Sequence, residues 1–137
     1  MSKQKKNLLL SIVALVAGCF LYAFFRKNTY IGSMFDSIKY VERVRQICLC
    51  SVCNVYKFYL PDFLWGFSLS CGLIAIHNPS KKGVFICASF AFLCGCLWEL
   101  LQYFAVLSGT GDIHDIIMYL LASAICIIIN LKETEEK

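Results

Sequence analysis

Four long apolar windows constrain this chain more than any other feature of its sequence. They cover residues 8–25, 60–76, 84–107 and 113–131, and each is close to the roughly 17 to 25 residues that a helix needs to cross a bilayer. Of the 137 residues, 59% are hydrophobic, whereas soluble domains are roughly 45 to 50% apolar. Because lipid cannot satisfy backbone polar groups, we expect helices. The sequence therefore predicts an all-α polytopic membrane protein, with four transmembrane helices in one bundle that forms a single domain over residues 1–137.

The first window follows three lysines, a pattern typical of a secretory signal or a signal anchor. The run VAGC at 16–19 resembles the lipobox of bacterial lipoproteins, in which Cys19 is lipidated. However, the apolar run continues through Phe25. This favours an ordinary helix in which Ala14 and Gly18 form a small-residue contact face.

The segment 26–59, between the first two windows, is mixed in character and basic. Residues 37–59 fit an amphipathic, interfacial helix whose basic side chains reach anionic headgroups; a solvated connector is an equally good interpretation. Cys48, Cys50 and Cys53 suggest a metal or disulfide site, but no second cysteine pair follows at the spacing of a zinc site. The other six cysteines fall in the apolar windows, where cysteine behaves as a small hydrophobic residue.

Acidic side chains accompany three of the windows. Carboxylates are costly in hydrocarbon and usually face a bundle interior or a watery cavity. Asp62 follows Pro61, so stabilisation at the first turn of a helix is one explanation for it. Glu99 ends a stripe of small residues, and packing between helices is an alternative explanation there. Asp112 and Asp115 open the fourth window, with Asp112 predicted as the N-cap.

An antiparallel order of spans brings these side chains to one face of the membrane. The start of the second span, the end of the third and the start of the fourth all lie on the same side. We therefore predict a shared acidic pocket for a ligand or a cation. Its candidate residues are Asp62, Glu99, Gln102, Asp112 and Asp115. Because Mg²⁺ and Ca²⁺ prefer such oxygen ligands, a divalent cation is the one cofactor that the sequence suggests.

Three runs of this sequence resemble the VanZ-like family of small bacterial membrane proteins: LPDFLW at 60–65, WELLQ at 98–102 and GTGDIHDIIMYLLASAI at 109–125. The family shows an early aspartate, a glutamate with a glutamine three residues on, and aspartates that open the last helix. This chain departs from it at 109–111, where the family often has an arginine, and at Tyr119, where it often has an asparagine. The resemblance implies a protein of the bacterial cell envelope and, for the family's named member, low-level resistance to a glycopeptide antibiotic.

The basic residues predict an orientation in the bacterial cytoplasmic membrane. By the positive-inside rule, the lysines near residue 5, at 81–82 and in the tail would share the cytoplasmic side with both termini. The acidic pocket would then lie outside. The basic segment 26–59 argues for the opposite orientation, although its length weakens the rule.

Three functions fit these features. The first is binding of a lipid, an amphiphile or a cation at the acidic pocket, with membrane lipids as partners and no nucleic acid. The second is a small transporter that is coupled to protons or divalent cations. A homo-oligomer is one form of this hypothesis. The third is an intramembrane enzyme with Glu99 or Asp115 as general acid or base. We place the enzyme last because no nucleophile, phosphate-binding loop or histidine pair accompanies the carboxylates.

Overall fold

The computed structural model describes the backbone of residues 2–25, 51–107 and 111–135 and the side chains of residues 2–23, 59–107 and 111–132. The described backbone forms four helices and no strand: α1 (Lys3–Phe25), α2 (Ser51–His77), α3 (Lys81–Tyr103) and α4 (Ile113–Glu135). Each contains a stretch long and apolar enough to cross a membrane, namely Lys3–Ala23, Tyr59–His77, Lys81–Tyr103 and Ile113–Lys132. The predicted all-α, four-span membrane fold is therefore confirmed.

The start of α2 differs from the prediction. The helix begins at Ser51, and Pro61 lies well inside it instead of in its first turn. Dipole stabilisation at a helix N-terminus therefore does not explain Asp62, because that effect fades within the first turn. Residues 51–58, part of the expected interfacial segment, belong to α2. The rest of that segment, with Cys48 and Cys50, lies outside the described residues, as does the side chain of Cys53.

The end of α3 also differs from the apolar window, which continues to residue 107. The helix ends at Tyr103, and Phe104 closes it by donating its backbone N–H to the carbonyl of Leu100. Ala105 then takes a φ of 53°, which is left-handed. Such a residue breaks the helix and turns the chain toward α4.

Helix α2 is the centre of the bundle, because α1, α3 and α4 all pack against it, and α4 also packs against α3. The buried residues of α3 are mostly small and recur every three or four positions, which places them in one stripe. Small residues allow helix backbones to approach closely in a membrane. They are Val84, Ala88, Ala91 and Gly95, and Glu99 ends the stripe.

Polar pairs tie α1 to the rest of the bundle. Asn7 and Asn130 are fully buried and exchange two side-chain amide hydrogen bonds, of 2.8 and 3.1 Å. The hydroxyl groups of Ser11 and Ser68 each donate to the other residue's carbonyl oxygen at 2.9 Å. Interhelical hydrogen bonds of this kind contribute about 0.6 to 2 kcal/mol each in membranes. Helix α1 is therefore a packed part of the bundle, and Cys19 lies exposed on it; its lipidation stays a prediction.

The antiparallel packing separates two ends of the bundle. One end, which we call the lysine end, carries Lys3, Lys5, Lys6, Lys81, Lys82 and Lys132. The other receives the end of α1, the start of α2, the end of α3 and the start of α4. The two ends thus differ in the charge of their described side chains.

Candidate binding site

A cavity of ≈ 670 Å³ runs along the bundle between α1 and α3, with α2 as its floor. We call it the lateral groove. Its lining comes from residues 61–76 of α2, 11–22 of α1 and 91–102 of α3, and α4 adds Asp115 and Tyr119. Its volume lies within the roughly 300 to 1,000 Å³ that is typical of sites for small ligands.

The lateral groove opens sideways, toward the side of the bundle that would face lipid. Its apolar lining includes large side chains that are exposed on the surface of the bundle. These are Leu15, Trp65, Leu69, Ile76 and Trp98. A hydrocarbon chain could therefore enter from the bilayer without crossing water.

Polar side chains gather where the groove meets the end of the bundle opposite the lysines. Four of the five predicted site residues line the groove there: Asp62, Glu99, Gln102 and Asp115. We call this the acidic end. Glu99 is 4% exposed, and its Oε2 accepts the backbone N–H of Asp112 at 3.2 Å. Three helices thus contribute carboxylates to one end of one cavity.

Tyr119 is a central residue of the acidic end that the sequence analysis did not select. It is 5% exposed, and its hydroxyl donates to Oδ1 of Asp62 at 3.1 Å. A Cβ at Gly66 would lie 2.9 Å from its ring, and a Cβ at Gly95 only 2.5 Å. The ring therefore occupies space that only glycine on α2 and α3 leaves open. A signal was present, since Tyr119 lies one helical turn beyond Asp115 on the same face of α4.

Asp112, the fifth predicted residue, does not line the groove. It caps α4 as predicted, because its Oδ1 accepts the backbone N–H of His114 at 3.0 Å and lies 2.7 Å from Nδ1 of the same residue. These two contacts hold the pKa of the Asp112 carboxyl below its usual value of 3.8. Gly111 lies so close to α3 that a Cβ there would be 2.7 Å from the carbonyl oxygen of Glu99. Asp112 therefore reaches Glu99 through its backbone and not through its carboxylate.

The carboxylates of the acidic end do not form a recognisable metal site. Among the side chains that the structure describes, no group of three or more His, Cys, Asp or Glu is arranged to hold a metal ion. The geometry of the described residues therefore gives the divalent-cation hypothesis no support. As hydrogen-bond acceptors, the same carboxylates suit a ligand that carries donor groups.

Comparison with protein-family models, with curated proteins and with solved structures gives no match for this chain. The resemblance to the VanZ-like family therefore stays a hypothesis that rests on the three sequence runs alone. What is shown is the class: a multi-pass helical membrane protein with a lateral groove that ends in acidic side chains, of which Glu99 is buried.

Proposed function

We propose that this protein is a VanZ-like protein of the bacterial cytoplasmic membrane that binds a membrane amphiphile in the lateral groove. The observation that carries the proposal is the polarity of this single cavity. Asp62, Glu99 and Asp115 lie at one end, and exposed apolar side chains line the part that opens to lipid. An amphiphile has the same polarity, with a polar head joined to a hydrocarbon chain.

The head of the ligand would lie at the acidic end. Carboxylates only accept hydrogen bonds, and each ionised carboxylate has about four lone-pair sites. The oxygens of Asp62 and Glu99 accept the hydroxyl of Tyr119 and the backbone N–H of Asp112, so acceptor oxygens line this end of the groove. The amide of Gln102 both donates and accepts. A head with hydroxyl or amine donors matches this set of groups.

The chain of the ligand would lie against α1 and α2. Leu15, Leu69 and Leu73 line the groove beyond the acidic end, beside the small residues Gly66 and Gly72. These leucines supply apolar contact on the α1 side and the floor of the groove. In a bilayer, van der Waals packing is the main source of affinity for such a chain.

The same proposal assigns an orientation and a biological setting. With the lysine end in the cytoplasm, as the positive-inside rule favours, the acidic end faces the outer leaflet. The resemblance to the VanZ-like family supports a role in the bacterial envelope and a link to low-level glycopeptide resistance.

The proposal is tested by the amphiphiles that stay with the purified protein. The wild-type protein and Glu99→Gln are purified in the same mild detergent, and the bound lipids are quantified by native mass spectrometry. Glu135→Gln is the matched control, because it makes the same chemical change near the lysine end of α4. We expect a specific amphiphile on the wild type and the control, and a several-fold loss on Glu99→Gln. Equal lipid content on all three proteins would refute the proposed site.

A further inference from the structure

The lateral groove is longer than one leaflet of a bilayer. On α2 its lining covers residues 61–76, nearly all of the span Tyr59–His77. At about 1.5 Å per residue this run is roughly 22 Å long. One leaflet of hydrocarbon is about 15 Å thick, half of a core of roughly 30 Å. A chain that follows the groove from the acidic end therefore passes the midplane of the membrane.

A second cavity extends this path toward the lysine end. It has a volume of ≈ 220 Å³ and is lined by Gln4, Lys5, Leu8, Ala75 and Ile76. Ile76 lines both cavities, so the second cavity adjoins the lateral groove at this side chain. The two cavities follow one another along α1 and α2, from the acidic end of the bundle to the level of Lys5, and we call this succession the path.

We propose that the ligand is a polyisoprenoid lipid with a hydroxyl head, an inference that rests on the amphiphile-binding function above. Ordinary acyl lipids have chains about one leaflet long, because a bilayer is two chains thick. They would leave the part of the path near Ile76 unfilled. Polyisoprenoid chains exceed the thickness of a leaflet and can fill the whole path. The carboxylates of Asp62, Glu99 and Asp115 complement a hydroxyl head, which donates a hydrogen bond.

The two tryptophans of the chain make this inference measurable. Trp65 and Trp98 both line the lateral groove, so their fluorescence reports what occupies it. In vesicles of chain-brominated phosphatidylcholine, lipid in the groove quenches this fluorescence, and a bound prenol displaces the lipid and restores it. The probes are farnesol, whose chain is short, and solanesol, whose chain is several times longer. We expect solanesol to act at a concentration at least about tenfold lower, because more of its chain packs against the side chains of the groove.

A pair of isoleucine variants tests where the long chain runs. Ile76 is 73% exposed at the junction of the two cavities, and Ile86 is 68% exposed on α3, where it lines neither cavity. Since both positions are exposed, Ile76→Phe and Ile86→Phe should fold alike. We expect Ile76→Phe to weaken solanesol binding several-fold and to leave farnesol binding unchanged. Ile86→Phe should change neither.

The outcomes separate this inference from the proposed function. If farnesol and solanesol act at the same concentration, or if Ile76→Phe weakens both equally, the polyisoprenoid assignment is wrong. The amphiphile site then still stands as long as Glu99→Gln weakens both prenols. If neither prenol restores the fluorescence, the assignment is also wrong, and the lipid content of Glu99→Gln decides separately whether an amphiphile site exists.

Discussion

Tyr119 joins three helices at the acidic end. It belongs to α4, its ring lies against Gly66 of α2 and Gly95 of α3, and its hydroxyl donates to Asp62. The ring position is fixed by packing, and the hydrogen bond in turn orients a carboxylate that lines the groove. Because Tyr119 both packs between helices and orients Asp62, we expect a small chemical change in its side chain to alter the unfolding free energy.

Removing the hydroxyl of Tyr119 tests the hydrogen bond without changing the packing of the ring. We expect Tyr119→Phe to keep the helical fold and to lose about 1 to 3 kcal/mol of unfolding free energy, because Asp62 loses a buried donor. Tyr103→Phe is the control, since Tyr103 is exposed at the end of α3. Reversible unfolding in mixed detergent micelles, followed by circular dichroism, gives both values. Equal stability of the two variants would show that the bond to Asp62 contributes nothing.

The carboxyl group of Asp112, which caps α4, has a pKa below the usual range of an aspartate. The folded-state pKa of Asp112 lies below 3.8 because the carboxylate accepts hydrogen bonds from His114. Its contribution to stability is thus fully present above the unfolded-state pKa and is lost as pH falls through the folded-state pKa. We expect the carboxyl carbon shift of Asp112 in NMR spectra to have its midpoint below 3.8. A midpoint at or above this value would contradict the proposed cap. Asp112→Asn is the control, because asparagine can still cap the helix but has no carboxyl group to titrate.

At the scale of helices, glycine sets how closely α3 and α4 approach. We expect Gly95→Ala to cost about 1 to 3 kcal/mol of unfolding free energy, because the added methyl group meets the Tyr119 ring in a packed core. Gly72→Ala is the matched comparison: its Cβ would lie 3.1 Å from Oγ of Ser11 instead of 2.5 Å from an aromatic ring. Both substitutions raise helix propensity equally. The difference between their unfolding free energies therefore measures the cost of the contact with the Tyr119 ring. If Gly95→Ala were as stable as Gly72→Ala, the ring would not lie where we describe it.

The helices themselves were predictable from the sequence, because apolar length alone determines what can cross a bilayer. Their ends were harder to predict. Pro61 looked like a first-turn residue, yet α2 begins at Ser51 and includes it, since a membrane helix tolerates an interior proline when its neighbours compensate. The apolar window of α3 continued past Tyr103, but hydrophobicity cannot show that Ala105 turns left-handed. Local hydropathy contains no information about such backbone turns.

Across the bundle, the antiparallel order of spans predicted that acidic side chains from three helices meet, and three of the four acidic candidates line one groove together with Gln102. The groove itself was not predictable, because its shape depends on how α1 and α3 pack on α2. Tyr119 was missed for a similar reason: its importance comes from the two glycines on other helices that accommodate its ring. Asp112 was placed at the right end of the bundle, but its capping geometry turns the carboxylate out of the groove.

Orientation can be tested independently of any ligand. With the lysine end in the cytoplasm, a reporter fused after Lys137 should read as cytoplasmic, and one inserted between α3 and α4 should read as external. Paired fusions of alkaline phosphatase and green fluorescent protein at both sites give complementary signals. The opposite pattern would place the acidic end, with Glu99, at the cytoplasmic face of the membrane. The ligand's head would then lie in the inner leaflet.

The most direct test of the central claim, that the lateral groove binds an amphiphile by its head at the acidic end, is photo-crosslinking in the membrane. A lipid that carries a diazirine in its chain is activated in vesicles containing the protein, and the labelled peptides are mapped by mass spectrometry. We expect preferential labelling at Leu15, Leu69 and Trp98 over the exposed outer residues Leu97 and Ile86, and a loss of this preference in Glu99→Gln. Uniform labelling of all exposed apolar residues, unchanged in Glu99→Gln, would contradict it.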